Sequence, residues 1–535
     1  MDRARRSAEF VLESRSLSTA LPLAVLIVVV LAVFCSTLRS EFVYDSTAEI
    51  LLWDFIHDPG NLLTPLTFRI MGMDVVDFNR PVAVTSLMFD SLLWGKNPFG
   101  YHLTNILLHA TNTCLVFVLI RHVLSYRPND HHLIWRTLTV LLPTLIFAIH
   151  PLVTEAVCEP SNRKDLLAAL FGLTALLLAT RHNPQTSRGD ALRMFLCPFL
   201  CLLAIGSKEV GVAFPAILLL YWILFRREDP VRFWAWTLSL SVAVAVLFLI
   251  ARFSLAHHPS EIFLVAPGYP GGSLGTALLI QPRILTLYLI NVFWPAYLCA
   301  DYNGYSARFV PLTLSLFVLT AAAILIAGRS IKDKRVLFGA GLILFALLPV
   351  CNLVPIYHPM ADRYLYLPLI GLALLVAVGL DSAWLCANAY RQVIASLLAV
   401  LVIGCLIPVT LERERVWSSE LALWQDTLLR NPESFAARAN LPEALMLAGR
   451  LEEAKSQSEA TLRTYYPNAP WVWFDYALEL NQLGDRSGAA RAARRAIEIK
   501  PDILDVDRMV RTLQCRRDLA TEFSQLAASL SSEKR

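Results

Sequence analysis

The chain has 535 residues, 56% of them hydrophobic and only 17% charged, with a mean hydropathy of +0.53. Soluble domains carry about 25% charged residues, so this composition excludes a soluble enzyme held by a single anchor and points to a polytopic membrane protein. The net charge of +4 says little globally, because the charges are unevenly placed; membrane lipids are the expected surroundings and nucleic acid is not an expected partner.

The chain opens with Arg3, Arg5, Arg6 and Arg15, followed by an apolar run at 17–38. A run of about 20 residues crosses a bilayer core and is too long for a cleaved signal core, so an uncleaved anchor with a cytoplasmic N-terminus is expected. The next segment, 39–99, is aromatic and amphipathic ("ILLWDFIHDPG", "RPVAVTSLMFDSLLWG"), which suits helices lying in the membrane interface. Apolar runs then recur at 101–120, 133–149, 166–180, 191–206, 210–225, 233–251, 310–328, 336–353, 366–386 and 392–410. With the first run they predict about 11 spanning helices. The run 276–298 contains Gln281, Pro282, Arg283, Asn291 and Pro295, which are costly against lipid.

Loop charge sets the orientation. The basic loops carry Arg121/Arg127/Arg136, Arg181/Arg188/Arg193, Arg226/Arg227/Arg232 and Arg329/Lys332/Lys334/Arg335. Excess Lys and Arg marks cytoplasmic loops. Alternation then requires that 276–298 be re-entrant or interfacial, and it puts 39–99 and the C-terminal region outside. The cysteines, ten in all, are scattered, mostly within apolar runs, and lack metal-like spacing. They read as small core residues, and no metal is expected.

After residue 411 charges become dense and the apolar residues take a helical period. "AGRLEEA" begins at 448 and "LGDRSGA" at 483, close to the spacing of a tetratricopeptide (TPR) repeat of about 34 residues. Trp473, Tyr476, Ala477, Leu480, Gly484, Ala489, Ala496 and Pro501 take the places that repeat requires. The preceding unit fits less well, with Arg438 and Pro442 at positions that want a large apolar and a small residue. The expected organisation is therefore a transmembrane domain over 1–410, containing the first extracytoplasmic loop 39–99, and an extracytoplasmic TPR α-solenoid over 411–535. Few good repeats make a solenoid that leans on the membrane domain or on a partner.

The outer face gathers the residues that could carry chemistry. Asp45 lies just beyond the first span in "SEFVYDSTAEI", and Arg80 in "FNRPVAV". His102, Asn105 and His109 share one helix face in "YHLTNILLH". His150, Glu155, Arg163, Lys164 and Asp165 fall in "FAIHPLVTEAVCEPSNRKDLL", Lys208 and Glu209 in "GSKEVG", and His358, Asp362, Arg363, Tyr364 and Tyr366 in "YHPMADRYLYLP". Singly, the cations can snorkel to headgroups, the histidines can bond neighbouring helices, and Asp45 can cap the helix that begins near Thr47. Together, a carboxylate, several cations and several aromatics suit a phosphate-bearing lipid substrate. Cations stabilise a departing phosphate and a carboxylate deprotonates an acceptor hydroxyl.

"EFVYDS", "FNRPVAVTSLMFDSLLWGKNPFGYHLTNILLHA", "HPLVTEAVCEPSNRKDLLAALF", "SKEVGVAFPAILLLYW" and "MADRYLYLPLIGL", in order and followed by repeats, resemble the transmembrane and TPR-containing (TMTC) family. Animal members are O-mannosyltransferases of the endoplasmic reticulum with a C-type glycosyltransferase fold, and "RKDLLAALF" and "ADRYLYLPLIGL" look more like a bacterial branch. The resemblance implies an all-α membrane enzyme without a cofactor. It would move a sugar, mannose in the animal members, with inversion from a polyprenyl-phosphate donor to a Ser/Thr hydroxyl of an exported protein. Asp45 would be the base; Arg163, Arg363, Lys208 and Lys164 would hold the donor phosphate; Arg80, His102, His150, Glu155, Asp362 and Tyr364 are further candidates. The repeats would engage the acceptor. Family members often carry a second acidic residue after the aspartate, where this chain has Ser46, so a second carboxylate would be recruited from Asp54 or Glu155. A bacterial inner membrane with a periplasmic C-terminus is the expected location, the endoplasmic reticulum the alternative. A membrane-anchored scaffold, or a lipid-linked glycan transporter, ligase or polymerase, remains the competing reading.

Overall fold

In the computed structural model the apolar runs wind into helices, as they must where no water is available to pair with backbone N–H and C=O groups. The structure describes residues 19–73, 79–125, 133–181, 187–255, 268–302, 311–330, 333–385, 389–511 and 515–532, and among these there are helices and turns but no strand. Arg3, Arg5, Arg6, Arg15, Arg127 and Lys332, which entered the orientation argument, lie outside the described residues.

Among the described residues seven helices are long and apolar enough to cross a membrane: Thr19–Arg39, Pro98–Val123, Asp190–Ser207, Val231–Ser254, Leu274–Phe293, Asp362–Ala383 and Val393–Val416. An eighth span results if Trp135–Ile149 and Pro151–Cys158, bent by 51° at His150, are taken together. The protein is thus a multi-pass membrane protein, but the expected count of about 11 is not reproduced, for reasons of length and charge. Ala213–Phe225 and Lys334–Leu347 have 13 and 14 residues, too short at about 1.5 Å per residue for a core of about 30 Å. Arg163–Thr180 opens on Arg163, Lys164 and Asp165, and the apolar part of the 310–328 run, Leu312–Gly328, is also among the shorter helices.

The run expected to be re-entrant or interfacial forms one helix, Leu274–Phe293, started by a capping box at Ser273 and Thr276. By length and composition it is able to cross. Its polar side chains are paired rather than facing lipid. Gln281 Oε1 accepts from Asn352 Nδ2 at 3.0 Å, and Asn291 Nδ2 donates to the Tyr302 hydroxyl at 3.3 Å. The Tyr288 hydroxyl donates to Ala361 O at 3.3 Å, and Val292 O meets His150 Nε2 at 3.0 Å.

The segment 39–99 folds into short helical turns and the helix Pro81–Trp94 over a core of its own, made by Phe42, Ile50, Ile56, Ile70, Val84, Tyr101 and Phe248. A larger continuous core runs from Leu26 and Phe34 through the bundle to Trp417, Trp424 and the C-terminal helices. These helices follow one another as neighbours: Glu420–Arg430, Phe435–Leu447, Leu451–Ala460, Pro470–Gln482 and Arg486–Ile499. The two turns predicted to repeat contain Gly449 and Gly484, with φ of +73° and +86°, a left-handed conformation that glycine enters without steric cost. Arg438, out of pattern by sequence, lays its guanidinium 3.4 Å from the centre of the Tyr465 ring and donates from Nε to Pro432 O at 2.7 Å. The helix Ala389–Val416 runs on past residue 411 directly towards these helices.

Candidate functional site

Asp45 sits between two unusual neighbours. Tyr44 before it has φ +57°, a left-handed conformation that costs a non-glycine residue on the order of 1–3 kcal/mol and persists only where surroundings impose it. Those surroundings are visible. The Tyr44 N–H donates to Glu420 Oε1 at 2.9 Å, its hydroxyl meets His358 Nε2 at 3.0 Å, and its ring lies 5.9 Å from that of Trp417 and 5.6 Å from that of Trp424. Ser46 after Asp45 is wholly buried. Its hydroxyl and N–H both donate to Glu159 Oε1, the latter at 2.8 Å.

Glu159 is the carboxylate that sequence reasoning missed. It precedes the turn Pro160–Asn162, and its Oε2 accepts from the Asn162 N–H and the Ser161 hydroxyl, each at 2.8 Å. Pro160, at the first position of that turn, is the sequence signal for the turn itself. Burial pushes its carboxyl up to about 7, and the Asp45 charge pushes the same way. The positions that the missing second acid suggested lie elsewhere. Asp54 is exposed and pairs with Lys96 at 3.2 Å. Glu155 is buried under Arg363, accepting from its guanidinium and, at 2.8 Å, from its N–H. Ser46 therefore meets a carboxylate from another segment at the place where one was lacking.

The carboxylates of this region are matched with partners: Glu49 with Lys164 at 3.1 Å, Asp165 with Lys208 at 2.6 Å, Glu209 with Arg80 and Arg252, Asp362 with the Tyr302 hydroxyl at 2.7 Å. The half-buried Asp45 carboxylate has no side-chain hydrogen bond or ion pair among the described residues, although it is within electrostatic reach of Glu159, Tyr357 and Arg363.

Several predicted cations converge here. The Tyr364 ring lies between Lys208, 5.2 Å from its centre, and Arg363, 5.4 Å from its centre, while its hydroxyl donates to His358 O at 3.1 Å. Burial pulls Lys208 down to about 8, against the attraction of Asp165, with Arg363 and Arg80 adding to the depression. Burial likewise holds His358 well below the usual histidine range, with Arg363, Lys164 and Lys208 pressing it the same way. Arg80 reaches the group through Glu209.

Three predicted residues have other work. Arg163 is fully buried. Its Nε donates to Asn105, its Nη1 to the backbone and side chain of Ser86, and its Nη2 to Tyr101 O while pairing with Asp90 at 2.5 Å. Buried and bonded to two neighbouring helices, Arg163 braces the helix Pro98–Val123 against Pro81–Trp94. His150 uses both ring nitrogens, one accepting from the Leu152 N–H at 3.2 Å and the other on Val292 O. His102 is buried with Nε2 on Glu41 O at 3.3 Å.

No protein-family model matches the chain. Among curated proteins it is similar to protein O-mannosyl-transferase Tmtc1 of Drosophila melanogaster, 26% identical over 527 residues, covering 80% of this chain and 60% of the relative. It is similar also to F38B6.6 of Caenorhabditis elegans, 25% identical over 455 residues (81% and 61%), and to human TMTC1, 24% identical over 501 residues (80% and 53%). The chain thus spans between about half and three fifths of the length of these relatives. Among solved structures it is similar to ArnT from Cupriavidus metallidurans, bound to undecaprenyl phosphate (12% identity, TM-score 0.38, 82% of this chain and 80% of that one) and in the apo state (15%, 0.40, 95% and 76%). The family likeness drawn from the motifs holds over most of the sequence: the curated homologues of this multi-pass membrane protein are the TMTC protein O-mannosyl-transferases.

Proposed function

We propose that the protein is a membrane glycosyltransferase that moves a sugar from a polyprenyl-phosphate donor to a Ser/Thr hydroxyl of an exported protein. The observation that carries this reading is the contrast between Asp45, whose carboxylate has no partner, and the paired carboxylates around it. In the reaction the acceptor oxygen attacks the anomeric carbon from the face opposite the phosphate. Asp45 takes the hydroxyl proton, the bond from carbon to phosphate oxygen breaks, and polyprenyl phosphate leaves with the bonding electrons. Lys208, Arg363 and Lys164 neutralise that leaving phosphate. Arg163 is not assigned to it. Tyr357, half exposed beside His358, offers an aromatic face to the sugar. The step draws on the chain's own cations and requires no cofactor.

The C-terminal helices, read as TPR units of a domain over 411–535, would engage the acceptor on the same side of the membrane. Mannose is the sugar suggested by the names of the relatives. The bacterial inner membrane, with these helices in the periplasm, is the location this reading takes.

The test uses purified protein with radiolabelled polyprenyl-phosphate mannose and a Ser/Thr-rich exported protein fraction. Transfer by the wild type should fall by about 10²–10⁴-fold in Asp45→Asn, which keeps shape but accepts no proton. Equal transfer by both proteins would remove Asp45 from the chemistry. No transfer from any polyprenyl-phosphate sugar would favour the scaffold.

A further inference from the structure

The residues that hold Asp45 in place come from the far end of the chain. Glu420 is the first residue of the helix Glu420–Arg430. Its Oε1 accepts from the Tyr44 N–H at 2.9 Å and from the Thr47 hydroxyl at 2.7 Å, so one oxygen grips the turn on both sides of Asp45. Its Oε2 accepts from Trp424 Nε1 at 2.6 Å, which fixes the carboxylate's own rotation. Beside this grip the Glu41 N–H donates to Ser418 O at 3.0 Å, and Trp417 and Trp424 flank the Tyr44 ring. The same helices are seated a second time. Ser434 Oγ donates to Asp301 Oδ2 at 2.5 Å, Asn431 Nδ2 to Asp301 O at 3.0 Å, and Arg430 Nη1 to Ala296 O at 2.6 Å.

A residue with φ +57° keeps that conformation only where its surroundings impose it, and Glu420 holds the Tyr44 backbone N–H. A backbone rotation at Tyr44 would turn the Asp45 side chain that follows it. We infer that Glu420 is a positioning residue that keeps the Asp45 carboxylate aimed at the acceptor hydroxyl, so that the C-terminal helices are part of the active centre as well as a binding surface. The inference rests on Asp45 being the base. It assigns Glu420 no contact with substrate.

The experiment compares Glu420→Ala, Glu420→Gln and Thr47→Val with Asp45→Asn in the full-length chain, using polyprenyl-phosphate mannose as donor. Transfer kinetics are read together with amide hydrogen exchange. A displacement of about 1 Å in a reacting group costs about a hundredfold. Glu420→Ala should lower kcat by that order with the donor KM unchanged, and should speed exchange in 41–52 but not in the spans. Glu420→Gln keeps an oxygen for Tyr44 and Thr47 and should recover most of kcat. Thr47→Val, which removes one donor, should fall between.

If Asp45→Asn is dead while Glu420→Ala keeps wild-type kcat, the base stands and the positioning role falls. A change confined to KM, or faster exchange throughout the spans, also overturns it. Normal transfer by Asp45→Asn removes the base and the inference with it. Should Glu420→Ala not accumulate, Thr47→Val decides: wild-type kcat with unchanged exchange in 41–52 refutes the grip.

Discussion

Lys208 shows how one side chain in this site can be separated from its neighbours by pH. Its ordinary value of 10.5 is pulled down to about 8, chiefly by burial, so its ammonium is present below about 8 and lost above it. Between about 8 and 10.5 the unfolded chain holds the proton that the folded chain has released, and this group's contribution to stability rises with pH. Donor binding should move the opposite way. The KM for polyprenyl-phosphate sugar is expected to climb several-fold as pH passes about 8, with no loss of thermal stability, and the climb should vanish in Lys208→Arg, which stays charged throughout. A flat KM profile would take Lys208 out of the phosphate site. Lys208, Arg363 and Asp45 stood out in the sequence as candidates because ionisable groups next to apolar runs are rare and expensive. Arg163 met the same criterion, but its partner Asp90 sits in a segment whose pattern reads as an interfacial helix. Nothing in the order of residues tells a cation with one ion-pair partner, such as Lys208, from one engaged on every side by its own fold, such as Arg163.

Among the elements, helix existence was legible and helix length was not. Periodicity marks where apolar segments lie, but tertiary packing decides where each ends, and Ala213–Phe225 ends after 13 residues. Packing leaves its own trace in glycine. A Cβ on Gly371 would lie 2.6 Å from the backbone oxygen of Gly339, so the helices Lys334–Leu347 and Asp362–Ala383 touch main chain to main chain. Small residues permit such approach between membrane helices. Gly371→Ala is expected to cost about 1–3 kcal/mol by forcing that pair apart. Gly379, in the same helix, has nothing within 4 Å of its would-be Cβ, so Gly379→Ala is the control. Thermal unfolding in detergent should separate the two variants, and equal melting would deny the close approach.

At the scale of the molecule the disposition of Leu274–Phe293 decides how many times the chain crosses. Length and composition allow a crossing. Its polar contacts argue against one, since Gln281, Tyr288 and Val292 reach Asn352, Ala361 and His150, residues that border the region of Asp45 and Asp362. In a cysteine-free background, Ser273→Cys and Trp294→Cys should therefore both react with a membrane-impermeant maleimide added from the Asp45 side. Labelling from opposite sides would establish a span and reverse the placement of everything after it. Pro282 and Asn291 raised this question in the sequence, and charge alternation answered it with a re-entrant or interfacial element, an expectation that the labelling would test.

The grip on the Asp45 turn has a consequence for biosynthesis. Tyr44 and Glu420 are 376 residues apart, and ribosomes add about 5–20 residues per second. For roughly 20–75 s after Tyr44 is made, its restraint does not yet exist. During that interval the emerging protein carries the Asp45 carboxylate on a loop without its Glu420 restraint, and on the proposed mechanism it would transfer sugar about a hundredfold more slowly. On the proposed mechanism, full competence would arrive only after Glu420 has been made and its helix has settled against the Tyr44 turn, so that synthesis of the C-terminal helices would act as the switch.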